Sequence, residues 1–340
     1  MAETTTRNYA LDCMKGLLTL LMILCHCIQF FGQEVHLVQG FLVNYINLTT
    51  FSGFFFCFGF VSNKAYFEKK FGASAKKMLK NAGRMLIAFY VSEIAYLALV
   101  ENKIFRMDLI MDVLLVKQYA GWSEFLISFA VVMLLGILLF PIFKRMNSKI
   151  FAVFALVSIA ACFLPYGKQT VPQLAMLIGS TNYVTYPCLQ YLLYFAFGVL
   201  LSKKDLKFNK YVLVLCSLAS VPCIWYYVKF NSLPMRFPPD WLYITGAFAF
   251  VYLYYLICLR LDSLKLTNAA IGRIVQYLCH MGSNSLLYLL LSNLLIFAFA
   301  GSAFTFRDVK YVIGFYTFLL LFIPYLIRIM RNESNIKWRN

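Results

Sequence analysis

Long apolar runs, broken by short clusters of charged and turn residues, set the pattern of this chain. A helix needs about 20 mostly apolar residues to cross a bilayer. Runs of that order recur near residues 10–31, 41–62, 84–100, 122–143, 149–166, 186–202, 211–229, 239–260, 281–301 and 309–330, and those near 84–100, 149–166 and 186–202 are short. The expected fold is all-α, a single polytopic transmembrane bundle of about ten helices filling residues 1–340. Segment 103–119 sets Lys103, Arg106, Asp108, Asp112 and Lys117 among Ile, Leu and Met, so it is expected to lie along the interface. The first run is longer than a signal-peptide core, carries Asp12, Lys15 and His26 and ends in Phe30-Phe31. It reads as a retained helix. No long linker and no internal repeat interrupts the series. Asn47-Leu48-Thr49 matches a glycosylation sequon but falls inside the second run.

Composition excludes a water-soluble fold. The chain is 62% hydrophobic and 13% charged, against roughly 45–50% and 25% in soluble domains. So much apolar surface cannot be hidden from water in one fold of this size. The net charge of +17, from 31 Lys and Arg against 14 Asp and Glu, therefore reads as topology and lipid contact rather than nucleic-acid binding. With the N-terminus inside, only Lys103, Arg106, Lys117, Lys168, Lys229, Arg236, Arg307 and Lys310 fall in outer loops. Cytoplasmic loops collect Lys and Arg, so both termini are expected in the cytoplasm. Cys25, Cys27, Cys57, Cys162, Cys216 and Cys258 sit within apolar runs, and no CxxC pair occurs. Neither a disulfide framework nor a metal site is expected.

Ionisable residues at membrane depth are costly, and each is a functional candidate. The first helix holds the densest set. Asp12 and Lys15 are three apart and can pair. Lys15 and His26 are eleven apart, close to three turns and about 16 Å along one stripe. Lys15 then lies near the cytoplasmic surface and His26 deep, toward the outer side. Asp12 orients Lys15. Glu93 in the third run could orient His26, bind a sugar or pair with Arg84. Glu124, beside Ser123, opens the fourth. Tyr183, Tyr186, Trp225, Tyr226, Tyr227, Trp241 and Tyr243 cluster around outer loops and suit either sugar rings or the interfacial belt. Arg236-Phe237-Pro238-Pro239-Asp240 is a compact outer turn with a charge pair that could cap a site or end a helix.

The run Tyr9-Ala10-Leu11-Asp12-Cys13-Met14-Lys15-Gly16-Leu17-Leu18, continuing to His26, resembles the opening of the acyltransferase-3 membrane family. That family begins with Leu-Asp-x-x-Arg-Gly and carries a catalytic His at the spacing seen here; Lys15 takes the place of the Arg. Phe54-Phe55-Phe56-Cys57-Phe58-Gly59-Phe60 resembles the family's Phe-rich Ser-Gly-Phe run, with Phe58 in the Ser position. Lys76, Lys77, Lys80 and Arg84 resemble its basic loop before the third helix. Trp122 and Phe197-Gly198 also fit, and Gly282-Ser283-Asn284-Ser285-Leu286 resembles a Gly-x-Asn-Ser-Leu run. Many members place a second His after that run, where this chain has Ser292-Asn293.

The resemblance implies an acyltransferase of the cell membrane, in bacteria the inner one, that moves an acyl group, usually acetyl, from acyl-CoA to a glycan or envelope-polymer hydroxyl. No tightly bound cofactor is expected; acetyl-CoA or another acyl-CoA is the donor substrate. His26, Lys15, Asp12 and Glu93 are the catalytic candidates. Lys76, Lys77, Lys80 and Arg84 are candidates for the donor phosphates. Glu124, Trp122, Tyr186 and Asn284 are candidates for the acceptor. His26 acts as general base, or alternatively as a nucleophile that carries the acyl group. A transporter or flippase, and a module of the same family that has lost catalysis, are the rival readings. A homo-oligomer stays open.

Overall fold

The computed structural model describes residues 8–32, 36–104, 106–119, 122–302 and 309–337, with side chains described except at 36–39 and 332–337. Arg7, Arg307 and Arg339, which enter the charge asymmetry, lie outside the described residues. Helix α1 (Tyr9–Phe31) starts where Asn8 Oδ1 accepts the amide of Leu11 at 3.1 Å, the usual way to satisfy a first-turn donor. Helices α2 (His36–Ser62), α3 (Phe71–Leu99), α4 (Met107–Leu114), α5 (Glu124–Leu138) and α6 (Phe140–Lys144) follow. Next come α7 (Ser148–Ala161), α8 (Pro172–Ile178), α9 (Cys188–Lys203), α10 (Lys210–Phe230) and α11 (Trp241–Gly246). The series ends with α12 (Phe248–Leu264), α13 (Ala269–Ser283), α14 (Ser285–Ala300) and α15 (Val309–Lys337). Asn147, Asn209 and Asn268 cap α7, α10 and α13 in the same manner as Asn8.

Among the described residues, six helical stretches are long and apolar enough to cross a membrane, and α13 with α14, bent by 80°, makes a seventh if counted as one span. Apolar side chains stand outward on this surface: Val153 is 60% exposed, Leu156 70%, Leu215 67% and Val228 77%. Only a lipid solvent makes such a surface stable. The molecule is a multi-pass membrane protein. The three other expected spans are the shorter apolar helices α5, α7 and α9, of 14 to 16 residues. The structure corrects two boundaries. The basic stretch 76–84 is not a loop: α3 begins at Phe71 and carries all four cations. The last-but-one apolar run is preceded by α13, an amphipathic helix with no counterpart in the expected series. Segment 103–119 holds the short α4, with Met107 and Met111 exposed and Arg106 paired to Asp108 at 2.7 Å.

Two glycine contacts set the layout. A Cβ on Gly282 would meet the carbonyl oxygen of Asp12, and one on Gly16 that of Leu278, so α13 lies backbone-to-backbone along α1. Gly59 and Gly198 bring α2 against α9 through Phe195 and Phe56 in the same way. Small residues are what allow membrane helices to approach this closely. With α1 held between α2, α13 and α14, its polar residues cannot face lipid.

Candidate functional site

His26 lies in the last third of α1 and is 8% exposed. Its Nδ1 is 2.9 Å from Asn293 Oδ1 on α14. The Asn293 amide nitrogen donates to the Trp122 carbonyl at 3.3 Å and lies 3.5 Å from the hydroxyls of Ser92 and Ser123, which also bond each other. A carbonyl oxygen only accepts, so the Asn293 nitrogen faces Trp122 and its oxygen faces the imidazole. That oxygen accepts only, which assigns the proton to His26 Nδ1 and leaves the Nε2 lone pair of the neutral ring available. Trp122 stacks edge-on against His26 at 5.3 Å and packs on Phe30 at 4.6 Å. Its backbone takes φ 72°, a left-handed conformation that a bulky residue adopts only when its surroundings hold it there.

His26 opens onto a chamber of about 350 Å³ that Glu124, Trp122, Tyr186 and Arg236 also line. Three acceptor candidates, Glu124, Trp122 and Tyr186, are thus brought to the imidazole. Gln29, Asn47 and Thr50 add polar lining from α1 and α2. Glu124 is 8% exposed, and its Oε2 has no hydrogen-bond partner among the described residues; neither has the buried Nε of Arg236. Arg236 donates to the Tyr186 hydroxyl and lies over the rings of Phe237 and Tyr186, at 4.5 and 5.2 Å. The expected charge pair of the 236–240 turn does not form. Asp240 instead caps α11, accepting the Leu242 amide at 2.7 Å, while Arg236 turns inward. Two buried polar atoms of opposite character thus lack partners among the described residues, on side chains that line the chamber.

Lys15 pairs with Asp12 at 2.7 Å, as the spacing predicts. It lines a second, mainly apolar cavity of about 190 Å³, with Cys57 and Phe58 of α2 and Ser285 and Leu286 of α14. Lys15 and His26 therefore do not share one open conduit. They occupy adjacent cavities whose common walls are Phe54 and Phe125. Glu93, expected to orient His26 or to meet Arg84, is fully buried on α3 next to Ser92 and is not part of the chamber lining. The residue holding the imidazole is Asn293, and Arg84 reaches Asn81 at 3.5 Å. Lys76, Lys77, Lys80 and Arg84 are all exposed on α3 and line neither cavity. Asn284 is also outside the chamber: its amide donates to the His280 carbonyl at 2.8 Å, and its oxygen accepts from Arg331. Of the outer aromatic cluster, only Tyr186 enters the chamber lining.

Asn293 and Arg236 are the site residues that sequence reading passes over. Asn293 was legible only as the place of an absent His, and Arg236 only as an outer-loop cation in a turn that could cap a site or end a helix. Compared with models of known protein families, with known proteins and with solved structures, the chain matches none.

Proposed function

We propose that the protein is a membrane O-acyltransferase, moving an acyl group, acetyl in the simplest case, from acyl-CoA to a hydroxyl of a glycan or cell-envelope polymer. What carries the reading is one observation: an imidazole with its Nδ1 proton tied to Asn293 shares a chamber with Glu124 and Arg236, side chains that each keep a buried polar atom without a partner among the described residues. A sugar can donate one hydroxyl to Glu124 and accept from Arg236, leaving a third hydroxyl at His26 Nε2. That hydroxyl oxygen attacks the thioester carbonyl as Nε2 takes its proton. The tetrahedral intermediate then collapses, expelling the CoA sulfur, which leaves with the proton from Nε2, and the acceptor keeps the ester. General-base assistance of this kind supplies about 10²–10⁴-fold.

In this reading the chain crosses the bilayer ten times, with α5, α7 and α9 and the bent α13–α14 pair as spans and both termini in the cytoplasm. The Lys15 end then faces the cytoplasm, where acyl-CoA resides. The cations of α3, Lys76, Lys77, Lys80 and Arg84, gather the polyanionic donor, and the acyl arm reaches His26 past Phe54 and Phe125. The test is transfer of labelled acetyl from acetyl-CoA in proteoliposomes given an envelope-glycan acceptor. His26→Ala should lose at least about 100-fold with normal expression; unchanged transfer removes His26 from the chemistry. One observation favours a transporter instead, namely two cavities in line divided by Phe54 and Phe125. Solute flux into liposomes without CoA, alongside no transfer, would decide for that rival.

A further inference from the structure

A third cavity, about 720 Å³, lies at the Lys15 end of α1. Tyr9 at the start of α1, Lys265 at the α12–α13 corner, Arg273 and His280 on α13, and Arg331 on α15 are among the residues that line it. Three cations thus line this space, and among the described residues none of the side chains lining it is a carboxylate. Each is placed differently. Lys265 Nζ is fixed 2.5 Å from Asp262 and 3.9 Å above the Tyr9 ring. Arg331 donates to Asn284, whose amide is anchored on His280. Arg273 makes no hydrogen bond or ion pair among the described residues and stands exposed on the face of α13 that it shares with His280. Guanidinium groups are forked donors matched to phosphate oxygens, and a concave site strengthens their field.

We infer that this cavity seats the polyphosphate end of a CoA thioester, its adenosine 3′-phosphate 5′-diphosphate portion. The inference rests on the acyl-CoA reading above and names a binding place that the α3 cations do not supply: those are exposed along a single helix face, whereas these come from two helices and a corner to line one open hollow. Continuity with the proposed reaction path supports it. Ser283 and Asn284 line this cavity, and Ser285 and Leu286 line the one that holds Lys15, so both cavities border the α13–α14 corner. Phosphates held by Arg273 and Arg331 leave the thioester arm to pass the corner toward Lys15.

A lipid headgroup offers the same phosphate chemistry, so the test separates the two sources. Purified protein in nanodiscs of neutral lipid is titrated with adenosine 3′,5′-bisphosphate and with CoA. Both should bind. Arg273→Glu should weaken both at least about tenfold, the scale of one charge-assisted contact. Arg273→Lys should recover part of the loss, and Lys207→Glu, a charge reversal away from the cavity, should stay within about twofold because exposed charges are screened. Equal binding by wild type and Arg273→Glu overturns this site but leaves the acyltransferase reading standing. Failure of wild type to bind CoA at all overturns both. Loss of bisphosphate binding in nanodiscs of anionic lipid assigns the cavity to a headgroup and overturns the inference.

Discussion

The tautomer of His26 rests on one amide. Replacing Asn293 by Leu leaves the Nδ1 group without its partner and removes the bond that lets the Trp122 carbonyl fix the ring. The buried group left unsatisfied costs about 1–3 kcal/mol. Acyl transfer by Asn293→Leu should fall at least about tenfold, with the loss in kcat, because the imidazole is no longer held for proton transfer. Arg236→Gln should behave differently: in the proposed reaction the guanidinium would contact the acceptor in ground and transition states alike, so KM for the acceptor should rise about tenfold with kcat little changed. Steady-state kinetics with varied acceptor separates the two. Polar residues at membrane depth are costly wherever they occur, which is why His26, Lys15, Asp12 and Glu124 stood out from sequence alone. Asn293 is uncharged and lies 267 residues from its partner, so no local pattern joins them. Arg236 reads as half of a charge pair in a turn that could cap a site or end a helix, and the structure turns it into the chamber lining instead of onto Asp240.

Helix contacts at glycine explain why the site stays in register. Gly282→Ala forces a methyl group into the Asp12 carbonyl and should cost about 1–3 kcal/mol, the usual scale of overpacking. Gly83 on α3 meets nothing within 4 Å, so Gly83→Ala should be neutral or stabilising by up to about 1 kcal/mol through helix propensity. Thermal unfolding in detergent should lower Tm for the first and not for the second. The long helices were legible because apolar length is a direct reading of bilayer thickness. Helix α13 was not, because Arg273, Gln276 and His280 interrupt its apolar run, while four of its five buried residues, Val275, Leu278, Cys279 and Gly282, follow the helical period. The start of α3 was missed for the same reason: its first turns are basic and stand clear of the apolar run.

At the scale of the whole molecule, the order of crossings decides which cavity faces which side. If α5, α7 and α9 are spans, Lys69 and Lys204 face one side and Lys103 and Ser232 the other. If only the long helices cross, no span separates Lys103 from Lys204, and both face the same side. Single cysteines at these four exposed positions, labelled with an impermeant thiol reagent, distinguish the two; the native cysteines are buried apart from the half-buried Cys162. Labelling at positions 69 and 204 only from the cytoplasm is the expected result, since the positive-inside bias follows that alternation. All of the proposed chemistry then depends on whether an acyl donor reaches the imidazole. The most direct measurement is a structure of the protein with acetyl-CoA bound. The expected density runs past Phe54 and Phe125, with the thioester carbonyl in the chamber close to His26 Nε2. A donor whose thioester stays on the Lys15 side of an unbroken Phe54–Phe125 wall, in a protein still turning over, would contradict it.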